Sequence, residues 1–325
     1  MLGAEARVIS PTRILRQPPA PGRDEPPVVT CLAMQPGGRL LAVGGDDHLL
    51  RVWDHVDGRL VHQLAGHEDW IRAMSFLPEG DRLVTAGNDR KVLVWTLAEG
   101  GVAHRQLARH EQVIAGLAIS RDGRQVAATG FESQMCVYDV SSGEREATIK
   151  CPCRDMRTVV FSPDATMMAA AGRNGKIRLW DVEGMETQRD ILAHSQRIRA
   201  LDFSPDGKRL ASAGEDRRAC VWDVQSGEKV QEFAAPTAKI LALCYFSDDQ
   251  LASAGSDNLI HIWDVAKGQH ADVLAGHTGS VAALDYGQGT LASGSFDTTV
   301  RIWRLGGEIV GADRRFGESE STGTR

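Results

Sequence analysis

The chain has 325 residues, 42% hydrophobic and 25% charged, with a formal net charge of −6. That composition suits a soluble folded protein with a large core and excludes a low-complexity or collagen-like chain. An acidic molecule supplies no overall positive field for nucleic acid or anionic membrane, so binding of either kind would need a local basic patch.

In chain order, the first segment is interrupted by Arg7, Arg13 and Arg16, which leaves no apolar core of signal-peptide length. No later run approaches the ~18 apolar residues of a spanning helix, so no membrane insertion is expected and the expected compartment is cytoplasmic. Ala6–Arg16 contains short apolar runs. Gln17–Pro27 is Pro-rich and reads as an extended linker. The tail from Arg314 to Arg325 has few apolar residues and reads as flexible. Six cysteines are scattered, at Cys31, Cys136, Cys151, Cys153, Cys220 and Cys244, without paired zinc spacing. The close pair around Pro152 reads as reduced and structural, which suits a reducing compartment.

Between these ends the sequence repeats. An aromatic recurs at Trp53, Trp95, Tyr138, Trp180, Trp222, Trp263 and Trp303, at intervals of 40 to 43 residues. Asp follows five of them, at Asp54, Asp139, Asp181, Asp223 and Asp264, while Thr96 and Arg304 are the exceptions. Upstream of each aromatic lie three short apolar runs separated by turn residues, as in the stretch from Ile198 to Trp222. Short strands at even spacing produce this pattern, and the runs are too short and Gly-interrupted for helices. Ser204–Gly207 is a Ser-Pro-Asp-Gly turn, with Pro preset to φ near −65° and Gly free to take positive φ. The second run, Leu210–Ala213, holds Ala and Ser on both faces, which lets twisted sheets pack closely around an axis. A variable stretch after each aromatic reads as a more exposed fourth strand. Four strands per repeat make one blade, and seven repeats predict an all-β, seven-bladed β-propeller of four-stranded antiparallel blades.

With these features in register over residues 28–307, the chain resembles the WD-repeat family. The resemblance implies a propeller that serves most often as a binding platform rather than an enzyme, with no cofactor and no metal. It also implies a hydrogen-bonded line of His, Ser or Thr, Asp and Trp inside each blade. Three sets are complete: His67, Thr85, Asp89 and Trp95; His194, Ser212, Asp216 and Trp222; His277, Ser293, Asp297 and Trp303. Recurrence at blade period marks them as structural rather than as Ser-His-Asp catalytic triads. Repeat 1 has Val43 at the hydroxyl position but keeps Asp47. Repeat 3 has His110, Ala128 and Glu132; repeat 4 has Cys153, Ala170 and Asn174. Repeat 6 keeps Ser253 and Asp257 but has Pro236 at the His position. Blades 3 and 4 are therefore expected to rely more on apolar packing and to be locally weakest. The seventh blade needs an outer strand from elsewhere, and the resemblance favours the N-terminal segment over Gly307–Ala312.

Three positions per repeat are expected on the partner-binding face. Read there, Trp70, Arg72, Phe131, Arg157, Arg173, Arg197, Arg199, Lys239 and Phe296 form a basic and aromatic surface on an acidic protein. Arg and aromatic side chains are the usual anchors of interfaces, and guanidinium groups suit carboxylates and phosphates. The competing reading is that these Arg side chains pair with Asp155, Asp202 and Glu215 of neighbouring blades. The expectation is a scaffold for a protein or peptide partner, with an acidic or phosphorylated segment as the candidate ligand. The alternatives are nucleic-acid binding through the same patch, which overall charge and the lack of a stacking stripe disfavour, and a channel-site enzyme. No nucleophile elbow, P-loop or metalloprotease motif supports the last of these. The Arg that often follows Trp-Asp in cullin-type ligase receptors is absent: that place holds Val56, Ser141, Glu183, Gln225 and Ala266.

Overall fold

In the computed structural model, the described residues are 7–98, 101–151, 153–235 and 238–305. They form 29 strands and no helix. Pro152, Pro236 and the stretch Gly307–Ala312 lie outside the described residues. Six blades follow one another along the chain as four-stranded meanders. Blade 5 is typical, with strands Ile198–Phe203, Arg209–Gly214, Arg218–Asp223 and Lys229–Ala234 from the axis outward.

The seven inner strands are Val29–Met34, Ile71–Phe76, Ile114–Ile119, Met156–Phe161, Ile198–Phe203, Ile240–Ser247 and Val281–Gly287. Each contacts the next, and the last contacts the first, so the sheets close into a ring around a channel. The core consequently lies between blades. Ala169, Ala171, Ile177 and Leu179 of blade 4 pack on Ile198, Leu201, Phe203 and Leu210 of blade 5. Ala211, Ser212 and Ala213 are all fully buried, and only small side chains allow that approach from both sides.

The ring is joined through its N-terminal segment. Arg13–Arg16 pairs antiparallel with Thr299–Arg304 and is the outer strand of blade 7, with Leu15 buried. Arg7–Ile9 does not continue this strand. It pairs in parallel with the outer strand of blade 6, placing Arg7 opposite Asp272. Pro11 separates the two pieces, lacking the N–H a continuous ladder strand would need.

Repeat punctuation has clear local causes. In six blades the residue after the turn Asp or its equivalent takes positive φ: His48, Arg90, Gly175, Arg217, Asn258 and Thr298. The preceding side chain steadies each turn by accepting a backbone N–H two residues on, as Asp89 does from Lys91 at 3.1 Å. The Asp of Trp-Asp acts similarly: Asp223 accepts the Ser226 N–H at 2.7 Å, with Gly227 at φ 74° completing that turn. Arginines on outer strands then reach across to the same turn of the next blade. Arg13 donates to the Asp57 carbonyl at 2.7 Å, Arg105 to that of Ser141 at 3.0 Å, and Arg189 to that of Gln225 at 3.0 Å.

Candidate functional site: the channel mouth

The three His-containing lines are buried and continuous. His194 sits 2.9 Å from Asp216 through Nδ1 and 2.8 Å from Ser212 Oγ through Nε2, and the Trp222 indole donates to Ser212 at 2.8 Å. His67 with Thr85, Asp89 and Trp95, and His277 with Ser293, Asp297 and Trp303, repeat this within 0.1–0.2 Å. Burial works against charge on Asp89 and Asp297, but the hydrogen bonds from His67 and His277 hold both carboxyls below the usual range. The Ser and Thr hydroxyls are fully buried and each is held by both a His and a Trp, so none is an available nucleophile.

The incomplete blades use substitutes. In blade 1, Arg51 replaces His: it is 1% exposed, 2.6 Å from Asp47, and donates to the Pro18 carbonyl at 2.8 Å. The Trp53 indole donates to Gln17 Oε1 at 3.4 Å, so the start of the Pro-rich linker is built into the blade. In blade 3, Tyr138 Oη lies 3.0 Å from His110 Nε2, and Glu132 lies 3.6 Å from Nδ1 of the same ring. That blade keeps a polar line of different composition. In blade 6, Trp263 donates to Ser253 at 2.8 Å, while Asp257 holds His261, which in turn contacts His270 at 3.1 Å. Among the described residues no group of His, Cys, Asp and Glu has metal-site geometry.

At one end of the channel the ring is asymmetric. The second position of each inner strand supplies Thr30, Arg72, Ala115, Arg157, Arg199, Leu241 and Ala282, and together with Phe296 these line a cavity of about 130 Å³. Blades 2, 4 and 5 thus contribute a guanidinium each. Burial lowers the pKa of all three, and neighbouring guanidiniums act in the same direction, Arg157 on Arg72 and Arg197 on both Arg157 and Arg199. A guanidinium nevertheless keeps its charge inside proteins. Aromatic faces support two of them: Arg72 lies 4.6 Å from the Trp70 ring centroid and Arg157 4.6 Å from that of Phe131.

Ion pairs occupy part of this surface. Asp155 takes Arg157 at 2.6 Å and Arg197 at 2.8 Å. Glu215 takes Arg197 at 3.1 Å, Arg199 at 3.6 Å and Lys239 at 3.9 Å. Arg72 instead donates to Asn88 at 2.9 Å, and no carboxylate of the described residues lies within salt-bridge distance of it. Four cations, Arg157, Arg197, Arg199 and Lys239, therefore share two carboxylates, and Arg72 stands beside them without one. Arg197, tied at both ends, is mainly a strut. Arg173 is exposed and forms no ion pair among the described residues. Phe131 and Phe296 are 37% and 47% exposed, and Trp70 is half-buried.

Of the three carboxylates in the competing reading, Asp155 and Glu215 pair with the arginines and Asp202 does not. Its side chain joins the wall of the channel nearer the opposite mouth, in a cavity of about 520 Å³ that Asp285 also lines. Asp202 accepts the Tyr245 N–H at 2.7 Å and Asp285 the Met34 N–H at 2.7 Å, each bridging to the next blade. Burial raises Asp202 to about 7 and Asp285 to about 6.

The molecule is thus a seven-bladed propeller with a cationic, aromatic-rimmed mouth. The WD domain, G-beta repeat family matches residues 20–54, 58–96, 143–181, 185–223, 227–264 and 268–304, and the chain belongs to the WD-repeat family. Blade 3, whose Ala128, Glu132 and Tyr138 depart from the pattern, is the repeat outside those matches. Among curated proteins it is similar to the probable serine/threonine-protein kinase PkwA of Thermomonospora curvata, 45% identical over 56 residues, covering 15% of this chain and 8% of that protein. It is also similar to the nuclear distribution proteins PAC1 of Mycosarcoma maydis (37%) and Coprinopsis cinerea (42%), each over 41 residues, 13% of this chain and 9% of the relative. The matches span less than a tenth of those relatives. The family's fold is generally a protein-interaction scaffold. No helix among the described residues is long and apolar enough to cross a membrane.

Proposed function

We propose that this chain is a non-catalytic scaffold that receives an acidic or phosphorylated segment of a partner protein at the arginine-bearing mouth. The observation that carries this reading is the convergence of Arg72, Arg157 and Arg199 from three blades on one small cavity. Holding three like charges together, partly buried, is unfavourable in the free protein, and an entering anion relieves it. Glu215 and Asp155 offset only part of that charge. The six free cysteines fit a reducing, cytoplasmic setting.

The test is capture from native extract by tagged wild type and by a variant carrying Arg72→Gln, Arg157→Gln and Arg199→Gln, after circular dichroism has matched their folds. The expected result is a partner that the variant loses and that added salt releases from the wild type. A partner retained equally by both proteins and indifferent to salt would refute the assignment.

A further inference from the structure

The mouth is not uniformly cationic. Blades 2, 4 and 5 supply its guanidiniums, whereas blades 6 and 7 supply Leu241, Ala282 and the exposed Phe296, and blade 3 supplies Ala115. Immediately below, the channel continues as a cavity of about 240 Å³, also lined by Ala73, Gly116, Ala200, Ala242 and Ala283. Small side chains leave this throat open, and Thr30, Thr158 and the three guanidiniums also line it. The throat is therefore polar and wet, and the apolar surface at this end is confined to the rim of blades 6 and 7. The space suits one side chain rather than a drug-sized ligand.

Resting on the acidic-segment reading above, we propose that the recognised element is composite: an apolar side chain with anionic neighbours. The apolar group docks on the rim formed by Leu241, Ala282 and Phe296, while the flanking anions lie on the arc of Arg72, Arg157 and Arg199. A uniformly acidic tract would leave Phe296 and Leu241 uncovered. A purely apolar plug would leave the guanidiniums without counter-charge. Charge and apolarity divide this rim between them, so selectivity comes from their adjacency in the partner's sequence.

The probes are fluorescein-labelled Glu heptapeptides whose central residue is Leu, Phe or Ala, read by anisotropy at low salt. The Leu and Phe peptides should bind the wild type about tenfold more tightly than the Ala peptide. Phe296→Ala and Leu241→Ser should reduce that preference to about twofold while leaving the Ala peptide's affinity unchanged. Since Phe296 is half in solvent, its loss does not endanger the fold. Arg72→Gln with Arg157→Gln should weaken all three peptides alike. Equal affinity for all three peptides, lost in the Arg variant, would overturn the composite element and leave the acidic-segment reading standing. Failure of every peptide to bind would overturn both.

Discussion

The Asp202 carboxyl gives a quantitative test of how the ring is assembled. Burial in the channel wall raises it from 3.8 to about 7, with the Coulombic effect of Asp285 acting in the same direction. A carboxyl raised in the folded state binds more protons there than in the unfolded chain. Its contribution to stability is therefore fully present below pH 3.8 and is lost as pH rises through about 7. Each pH unit of displacement corresponds to about 1.4 kcal/mol, which sets a ceiling of about 4 kcal/mol at pH 8. Asp202→Asn keeps an oxygen for the Tyr245 N–H and removes the charge. The channel still admits water beside this residue, so a gain of about 1–2 kcal/mol at pH 8 is expected. Thermal unfolding followed by circular dichroism at pH 8 and pH 4.5 reads it. The variant should melt about 2–5 °C higher at pH 8 and near the wild type at pH 4.5. A variant less stable at pH 8, or a difference independent of pH, would show that the carboxylate is held by favourable contacts and that this account of the channel wall is wrong.

Other consequences are open to direct measurement. His194→Ala strands the buried Asp216 and Ser212 and should cost about 2–4 kcal/mol in denaturant unfolding; a loss under 0.5 kcal/mol would mean the line is decorative. Removing residues through Arg16 exposes the edge of Thr299–Arg304 and should cause concentration-dependent association in light scattering, whereas removal through Ser10 should not. Unchanged monomeric behaviour in both would refute closure by this strand. Blade 3, with its 3.6 Å His110–Glu132 approach, and blade 4, with Cys153 and Ala170 in place of the His and hydroxyl, should show the fastest strand-amide exchange. Slowest exchange there would contradict the link between these lines and local stability.

The propeller was legible because its determinants are local and repeated. The aromatic period, the Gly and Asp turns and the His, hydroxyl, Asp, Trp spacing are each fixed within about 40 residues, and register alone then aligns the second position of every inner strand. Arg72, Arg157 and Arg199 could be placed together for that reason. What depends on a distant segment's arrival was not legible. Nothing near Trp53 announces that Gln17 supplies its acceptor, and Val43 suggested a missing line where Arg51 and Asp47 form a different one. The division of the N-terminal segment between blades 6 and 7 likewise follows from how the chain must cross from one edge to the next. The apolar arc was missed because Leu241 and Ala282 look unremarked in sequence and gain meaning only beside Phe296. Asp202 was misplaced because nearness in sequence to Arg199 says nothing of which level of the channel a side chain occupies.

The most direct test of the central claim is site-specific photo-crosslinking of the tagged protein in native extract. A benzophenone amino acid would replace Phe296 at the mouth, and in separate proteins Leu192 and Val230 on the outer rim, all exposed positions. A partner seated at the mouth gives a discrete adduct from position 296 that disappears when Arg72 and Arg157 are also changed to Gln, with no counterpart from the rim. Adducts from the rim positions with none from position 296 would place the partner elsewhere and contradict the account.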